Sequence, residues 1–208
     1  MFLSLIGMSG SGKSFWSNKL AEAGFTRFSC DERIAHKLGA ELKASDGTAI
    51  EMGAWMGFPF EPGYREREAR YLSLEAEVLS GVLEMLRSGI SPERNVVVDT
   101  TGSVIYTGEN LLGELKRLTT IFHFASPPEV RQTMLEAYRL NPRPVLWQGM
   151  FRRLPGESES AALARSYFLL LSDRESRYER LADVTVDHAT RSRPGFGVRF
   201  FLEKCPAE

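Results

Sequence analysis

The sequence predicts an α/β fold of three layers, a central, mostly parallel five-stranded sheet with helices on both faces. Three observations carry this prediction. Strand-like and helix-like segments alternate along the 208 residues, as successive βαβ units require. Val96-Val97-Val98 is a continuous β-branched run, the pattern of a strand covered on both faces. A glycine-rich turn at residues 7–12 joins an apolar run to a helix-like one. The length fits one domain spanning residues 1–208, at roughly 100–200 residues per domain.

Each element follows from local signals. Phe2 to Ile6 reads as a short buried strand, and the helix after the turn runs from about Lys13 to Glu22, closed by Gly24. Phe25 to Phe28 is a weak second strand, and Asp31 is placed to cap a helix ending near Leu38. Residues 40–63 carry Gly47, Gly53, Gly57, Pro59, Pro62 and Gly63, which breaks regular structure. That stretch reads as an irregular substrate-side insert or mobile cap with some helix, with Trp55, Phe58 and Phe60 exposed. Tyr64 to Arg87 has Tyr71, Leu74, Val78, Leu79, Val82 and Leu86 at helical spacing, a core stripe, and Gly89 ends the helix.

After the valine strand, Gly108 to Leu118 reads as helix and Thr120 to Phe124 as strand. Pro127-Pro128 opens a helix to about Tyr138. Residues 139–158 read as a basic loop or lid, Ser158 to Leu181 as a long helix, and Asp183 to Asp187 as the last strand. Pro194 starts a C-terminal helix.

Composition excludes several classes. With 43% hydrophobic and 25% charged residues the chain can bury a core and is not disordered throughout. The net charge of −1 calls for neither nucleic acid nor an anionic membrane as partner. Cys30 and Cys205 make no disulfide framework, and the early apolar stretch stops at Gly7 without a basic leader, so a cytoplasmic, monomeric protein is expected. Within the balanced charge, six of 26 cations are Lys and 20 are Arg. Arg favours planar, two-point contact with carboxylates and phosphates.

The decisive motif is Gly7-Met8-Ser9-Gly10-Ser11-Gly12-Lys13-Ser14, which fits G-x-x-x-x-G-K-[ST]. Glycines let backbone N–H groups curl around a phosphate, and a helix N-terminus adds its positive dipole end. Gly7, Gly10, Ser11 and Gly12 supply the cradle, Lys13 reaches the β/γ-phosphates, and Ser14 holds Mg²⁺. The three-layer prediction thereby becomes a P-loop NTPase fold with ATP and Mg²⁺ as cofactors. Asp99, at the end of the valine strand, is either an acid for the metal shell or a cap for Thr100-Thr101-Gly102.

With this order of motifs the chain resembles the shikimate kinases nearly end to end, apart from the insert at about 40–60 and the long segment at 147–160. Asp31-Glu32-Arg33-Ile34 resembles D-x-x-I, and Gly63-Tyr64-Arg65 with Glu68 resembles G-F-R-x-x-E. Arg143-Pro144-Val145-Leu146 resembles R-P-L-L, and Arg174 before Tyr178 resembles R-x-P-L-Y. The resemblance implies Asp31 as base at the acceptor hydroxyl, Arg143 as a lid residue on the phosphates, and Arg65 and Arg174 as a clamp on an acceptor carboxylate. It also implies Thr101 and Gly102 beside the acceptor, and Arg139 and Pro194 on the adenine side.

Two departures stand out. Ser29 occupies the place of a second, metal-side Asp, which Asp99 could replace. Thr100-Thr101-Gly102 stands for three glycines, and two β-branched residues should narrow the approach to the acceptor. The resemblance thus implies ATP- and Mg²⁺-dependent phosphoryl transfer to a small, anionic hydroxyl compound. A different acceptor (nucleoside, nucleotide or sugar acid) and a catalytically silent nucleotide-binding regulator remain open at this point. A base-binding acceptor site would carry an aromatic platform such as Trp55 or Phe58.

Overall fold

The computed structural model describes residues 1–88 and 95–205. Its centre is a five-stranded sheet of β1 (Phe2–Gly7), β2 (Thr26–Ser29), β3 (Val96–Asp99), β4 (Thr120–Phe124) and β5 (Val184–Val186). The strand order is β2-β3-β1-β4-β5, and every pairing is parallel, so the sheet is wholly rather than mostly parallel. Parallel strands cannot be joined by tight turns, so each connection crosses a face through a helix. From β1 the chain runs to both sides, toward β3 and β2 and toward β4 and β5. The carboxyl ends of β1 and β3 then border a crevice where ligands of such sheets bind.

Alternation along β1 sorts the layers. Leu3 and Leu5 pack with Phe122, Phe124 and Phe201 on the face covered by α1 (Lys13–Glu22) and α9 (Val198–Lys204). Ile6 and Ile121 face the other way, against α4 (Tyr64–Ser88), α5 (Glu109–Leu118) and α7 (Glu159–Leu181). Val96, Val97 and Val98 are fully buried, as their unbroken β-branched run predicts. The predicted helix stop at Gly89 lies outside the described residues.

Three local expectations are corrected: the cap of the helix after β2, the start of the last helix, and the exposure of Trp55 and Phe58. Ser29, not Asp31, caps α2 (Cys30–Leu38), its Oγ accepting from the Glu32 N–H at 3.3 Å; Asp31 is already inside the first turn. Pro194 does not open the last helix. Residues His188–Arg191 form the short α8, capped by Asp187, and α9 starts only at Val198. The 40–63 insert holds a 3₁₀ turn (Gly39–Leu42), an isolated antiparallel bridge between Lys43 and Ala49, and the short α3 (Met52–Met56). Trp55 and Phe58 are half-buried against the core, leaving Phe60 exposed.

The segment after α6 (Pro128–Leu140) is lid-like only in part. Trp147 is 1% exposed and packs against Tyr138 and Tyr167. Glu68 accepts hydrogen bonds from the Trp147 and Gln148 N–H groups at 2.6 and 3.0 Å, and the Tyr64 hydroxyl donates to Val145 O. The apolar half of this basic loop is pinned to α4, and its Arg side chains are left outside.

Candidate active site

The phosphate loop is built by backbone conformations that side chains resist. Gly7, Gly10 and Gly12 have φ of 140°, 79° and 96°. At Gly7 a Cβ would also stand 2.8 Å from Phe124 O, so only glycine keeps the loop against β4. Gly12 in the left-handed region is the N-cap of α1, leaving the first helical N–H groups unused by any side-chain cap. Arg191 braces the loop from behind, donating to Ser11 O and, at 2.8 Å, to Ala125 O.

Lys13 is 6% exposed, and its Nζ donates to Gly7 O and Met8 O at 2.9 Å each. Burial lowers its pKa to about 8, against the opposing pull of Asp99 and Asp31. A cation held by two carbonyls of its own loop is short of a counter-charge, the condition an incoming phosphate relieves. Ser14 is exposed beside it.

The loop opens into a cavity of about 430 Å³ that Lys13, Ser14, Asp31, Tyr71, Gly102 and Arg174 share in lining. Asp31 comes from the first turn of α2. Its Oδ1 accepts from the Tyr71 hydroxyl at 3.2 Å, and burial raises its pKa, with Lys13 opposing. Arg174 comes from α7, 7% exposed, with Nη2 donating to Leu146 O at 2.7 Å and its guanidinium over the Tyr106 ring. Gly102 approaches the loop so closely that a Cβ would meet Ser9 N at 3.2 Å.

The two threonines do not crowd this cavity. Thr100 Oγ1 turns into the sheet, donating to Leu5 O at 2.7 Å. Thr101 Oγ1 turns the other way and donates to Glu75, so the predicted acceptor contact through its side chain is replaced by an internal one. Ser103 Oγ lies 2.8 Å from Glu75 Oε2 and lines the cavity in its stead. Glu75 is 1% exposed, and burial pushes its pKa up to about 7 even though Thr101 and Ser103 oppose the shift.

Other predicted residues lie elsewhere. Arg65 is solvent-exposed on the first turn of α4 and does not line the cavity, because the inward position of that turn belongs to Tyr64. Arg143 is exposed next to Pro144, which does line it. Arg139 is exposed on α6, over a separate hollow with Ser158 and Phe168, and so is not brought to the phosphate loop. Pro194 is exposed in the turn between α8 and α9.

Asp99 is buried at the end of β3. Its Oδ2 accepts from Ser17 Oγ and Arg27 Nη2, each at 2.9 Å, and its Oδ1 has no hydrogen-bond partner. A buried carboxylate oxygen without a partner, joined to the phosphate-loop helix through Ser17, and an exposed Ser14 hydroxyl are oxygen donors suited to Mg²⁺ and its waters. Among the described residues no cluster of three His, Cys, Asp or Glu side chains forms a separate metal site. Cys30 is buried and its thiol pKa is pushed up by burial, so it is no nucleophile.

Sequence reasoning missed Tyr71, Glu75 and Arg27. Tyr71 fits the helical core stripe by spacing, yet its hydroxyl reaches Asp31. Glu75 has a visible signal: it is an acid four residues after Tyr71 on the buried side of α4. Arg27 has none, since its partners Ser17, Glu32 and Asp99 meet only in three dimensions.

Comparison with known proteins agrees with this architecture. Among solved structures, a shikimate kinase from Acinetobacter baumannii in complex with shikimate superposes with a TM-score of 0.58 at 19% identity, covering 98% of this chain and 89% of that one. A shikimate kinase from Aquifex aeolicus gives 0.56 at 20% identity, covering 98% and 95%. A dephospho-CoA kinase from Campylobacter jejuni gives 0.51 at 12% identity, covering 98% and 92%. These neighbours are kinases, and the likeness establishes a shared P-loop kinase fold. No curated protein sequence matches. Among the described residues no helix is long and apolar enough to cross a membrane. A family model described as an AAA domain matches residues 2–139, from the first strand through the phosphate loop, Asp31 and Asp99 to the end of α6, and the chain belongs to that family.

Proposed function

We propose that the protein transfers the γ-phosphoryl group of ATP to a hydroxyl of a small anionic metabolite. The observation that carries this reading is the shared cavity: Lys13 of the phosphate loop, the carboxyl of Asp31 and the buried Arg174 all line it. The acceptor oxygen attacks the γ-phosphorus, the bridging P–O bond to the β-phosphate breaks, ADP leaves, and the hydroxyl proton passes to Asp31. Desolvation in the cleft raises the Asp31 pKa from its ordinary value, with Lys13 and Tyr71 opposing, and that direction suits a group that must take up a proton.

Lys13 neutralises charge on the transferring phosphoryl group, and the Gly7, Gly10, Ser11 and Gly12 backbone cradles the other phosphates. Mg²⁺, held through Ser14 and the Asp99 side, would supply further neutralisation when bound. Arg174 offers a cation to an acceptor carboxylate or phosphate. Arg143, exposed and without an ion pair among the described residues, stands beside the cavity wall at Pro144 as the arginine of this segment for the phosphates. The fold likeness to shikimate kinases makes carboxylated polyols the first acceptors to try. Trp55 and Phe58 pack against the core and do not line the cavity, so neither supplies the aromatic platform a nucleobase acceptor would use.

The test is an ATP-consumption assay with Mg²⁺ over shikimate, quinate-like acids, gluconate, cyclitols and nucleosides. Acceptor-dependent ADP release with a carboxylated polyol is expected. Tight ATP binding with no turnover on any of them would instead support a nucleotide-binding regulator.

A further inference from the structure

The acid at the end of β3 is held in an unusual way. Arg27, from the edge strand β2, reaches across to it and is anchored at three points. Its Nε donates to Ser17 Oγ at 2.8 Å, its Nη1 to Glu32 Oε1 at 2.7 Å, and its Nη2 to Asp99 Oδ2 at 2.9 Å. Ser17 in turn donates to the same Oδ2 and lies 3.1 Å from Ser14 O, at the start of the phosphate-loop helix. Asp99 Oδ2 is therefore saturated, whereas Oδ1 is buried without a partner. Leaving a buried acceptor unpaired is costly, and such an atom calls for a ligand to explain it.

No neighbouring acid competes for that task. Ser29 is the register partner of Asp99 on β2, and its hydroxyl is spent capping α2. Asp31 is engaged by Tyr71 on the acceptor side of the cavity.

We propose that Arg27 is a positioning residue for the metal side of the phosphate site: by holding Asp99 through Oδ2 alone, it keeps the carboxylate oriented with Oδ1 free for a divalent cation or its waters. This rests on the ATP reading above and adds a residue to it. A purely structural Arg27 would neutralise Asp99 and stabilise the fold without affecting any metal. An arginine that positions Asp99 must change how much a metal strengthens nucleotide binding. Partners that orient a metal-side ligand typically contribute 10–100-fold to metal affinity.

The experiment measures ATP affinity by titration calorimetry in Mg²⁺ and in EDTA, for the full chain and for Arg27→Met and Arg27→Lys. The paramagnetic resonance of Mn²⁺ added with ATP is followed in parallel. In the unaltered protein Mg²⁺ should tighten ATP binding. In Arg27→Met that tightening should shrink by about tenfold, with affinity in EDTA within about twofold of the unaltered protein. Arg27→Lys keeps the charge but lacks the fork that spans Ser17, Glu32 and Asp99, and should fall in the same direction; it serves alone if the Met variant does not fold. Equal tightening by Mg²⁺ in the variants, or an equal loss of affinity with and without metal, would overturn the positioning role. Absence of ATP binding in the unaltered protein would overturn the nucleotide reading and this inference with it, which separates the two failures.

Discussion

The two walls of the cavity are made in different ways. The phosphate loop is local: eight consecutive residues, three of them glycines at positive φ, and a lysine folded onto its own carbonyls. The acceptor wall is assembled from distant segments. Asp31, Tyr71 and Glu75, the 101–103 turn and Arg174 arrive on four separate stretches of chain; side-chain hydrogen bonds join Tyr71 to Asp31 and the 101–103 turn to Glu75, and Arg174 is held by Leu146 O. A local site is specified by spacing, because neighbouring residues set one another's backbone angles. An assembled site depends on helix packing, so its members need no fixed spacing.

The largest effect that would test this comparison comes from the local wall. Lys13→Ala removes the only side-chain cation of the loop, and ATP affinity and turnover should fall by about 100-fold or more while the fold persists. Near-normal turnover would show that the cavity is not the phosphate site. Next comes Arg174→Met on the assembled wall. Loss of a charge-assisted contact is expected to raise the KM of an anionic acceptor about 10–100-fold with ATP binding little changed. An equal loss for ATP would place Arg174 on the nucleotide side.

Glu75→Gln sharpens the contrast through pH. The Glu75 pKa is raised from 4.5 to about 7 in the folded protein by burial. Its contribution is thus fully favourable below the unfolded value near 4.5 and is lost as pH rises toward 7. Each tenfold change in proton affinity between the folded and unfolded chain is worth ~1.4 kcal/mol. The Gln variant should therefore gain melting temperature relative to the unaltered protein, by several degrees between about pH 5 and pH 8. A constant difference over that range would mean that Glu75 does not titrate inside the fold. The smallest effect is expected of Arg65→Ala. With its side chain in solvent and off the cavity, acceptor KM should move by less than about twofold. A tenfold rise would mean that Arg65 swings inward when acceptor binds.

Misplaced expectations share one cause. Thr100 and Thr101 looked like obstructions because their bulk is visible in the sequence, but their rotamers are set by Leu5 O and Glu75. In the basic 139–158 segment the arginines are legible in the sequence, but which part of the backbone is anchored is not: Trp147, buried in a cluster of aromatic rings, and Glu68 and Tyr64 gripping the backbone set that. Pro194 fits a helix start by type, but Gly195 at φ 86° and Gly197 delay the helix to Val198.

By itself the sequence determined the parallel α/β layering and the phosphate loop. Both rest on short-range rules: a β-branched run buried on both faces, helical spacing of apolar residues, and glycines at backbone angles that other residues resist. Only the tertiary structure decided which acids and arginines meet. It turned Arg65 outward, drew Glu75 and Tyr71 into the acceptor wall, and set Arg27 against Asp99. Such pairings depend on register between strands and on the docking of helices, and no interval along the chain encodes either.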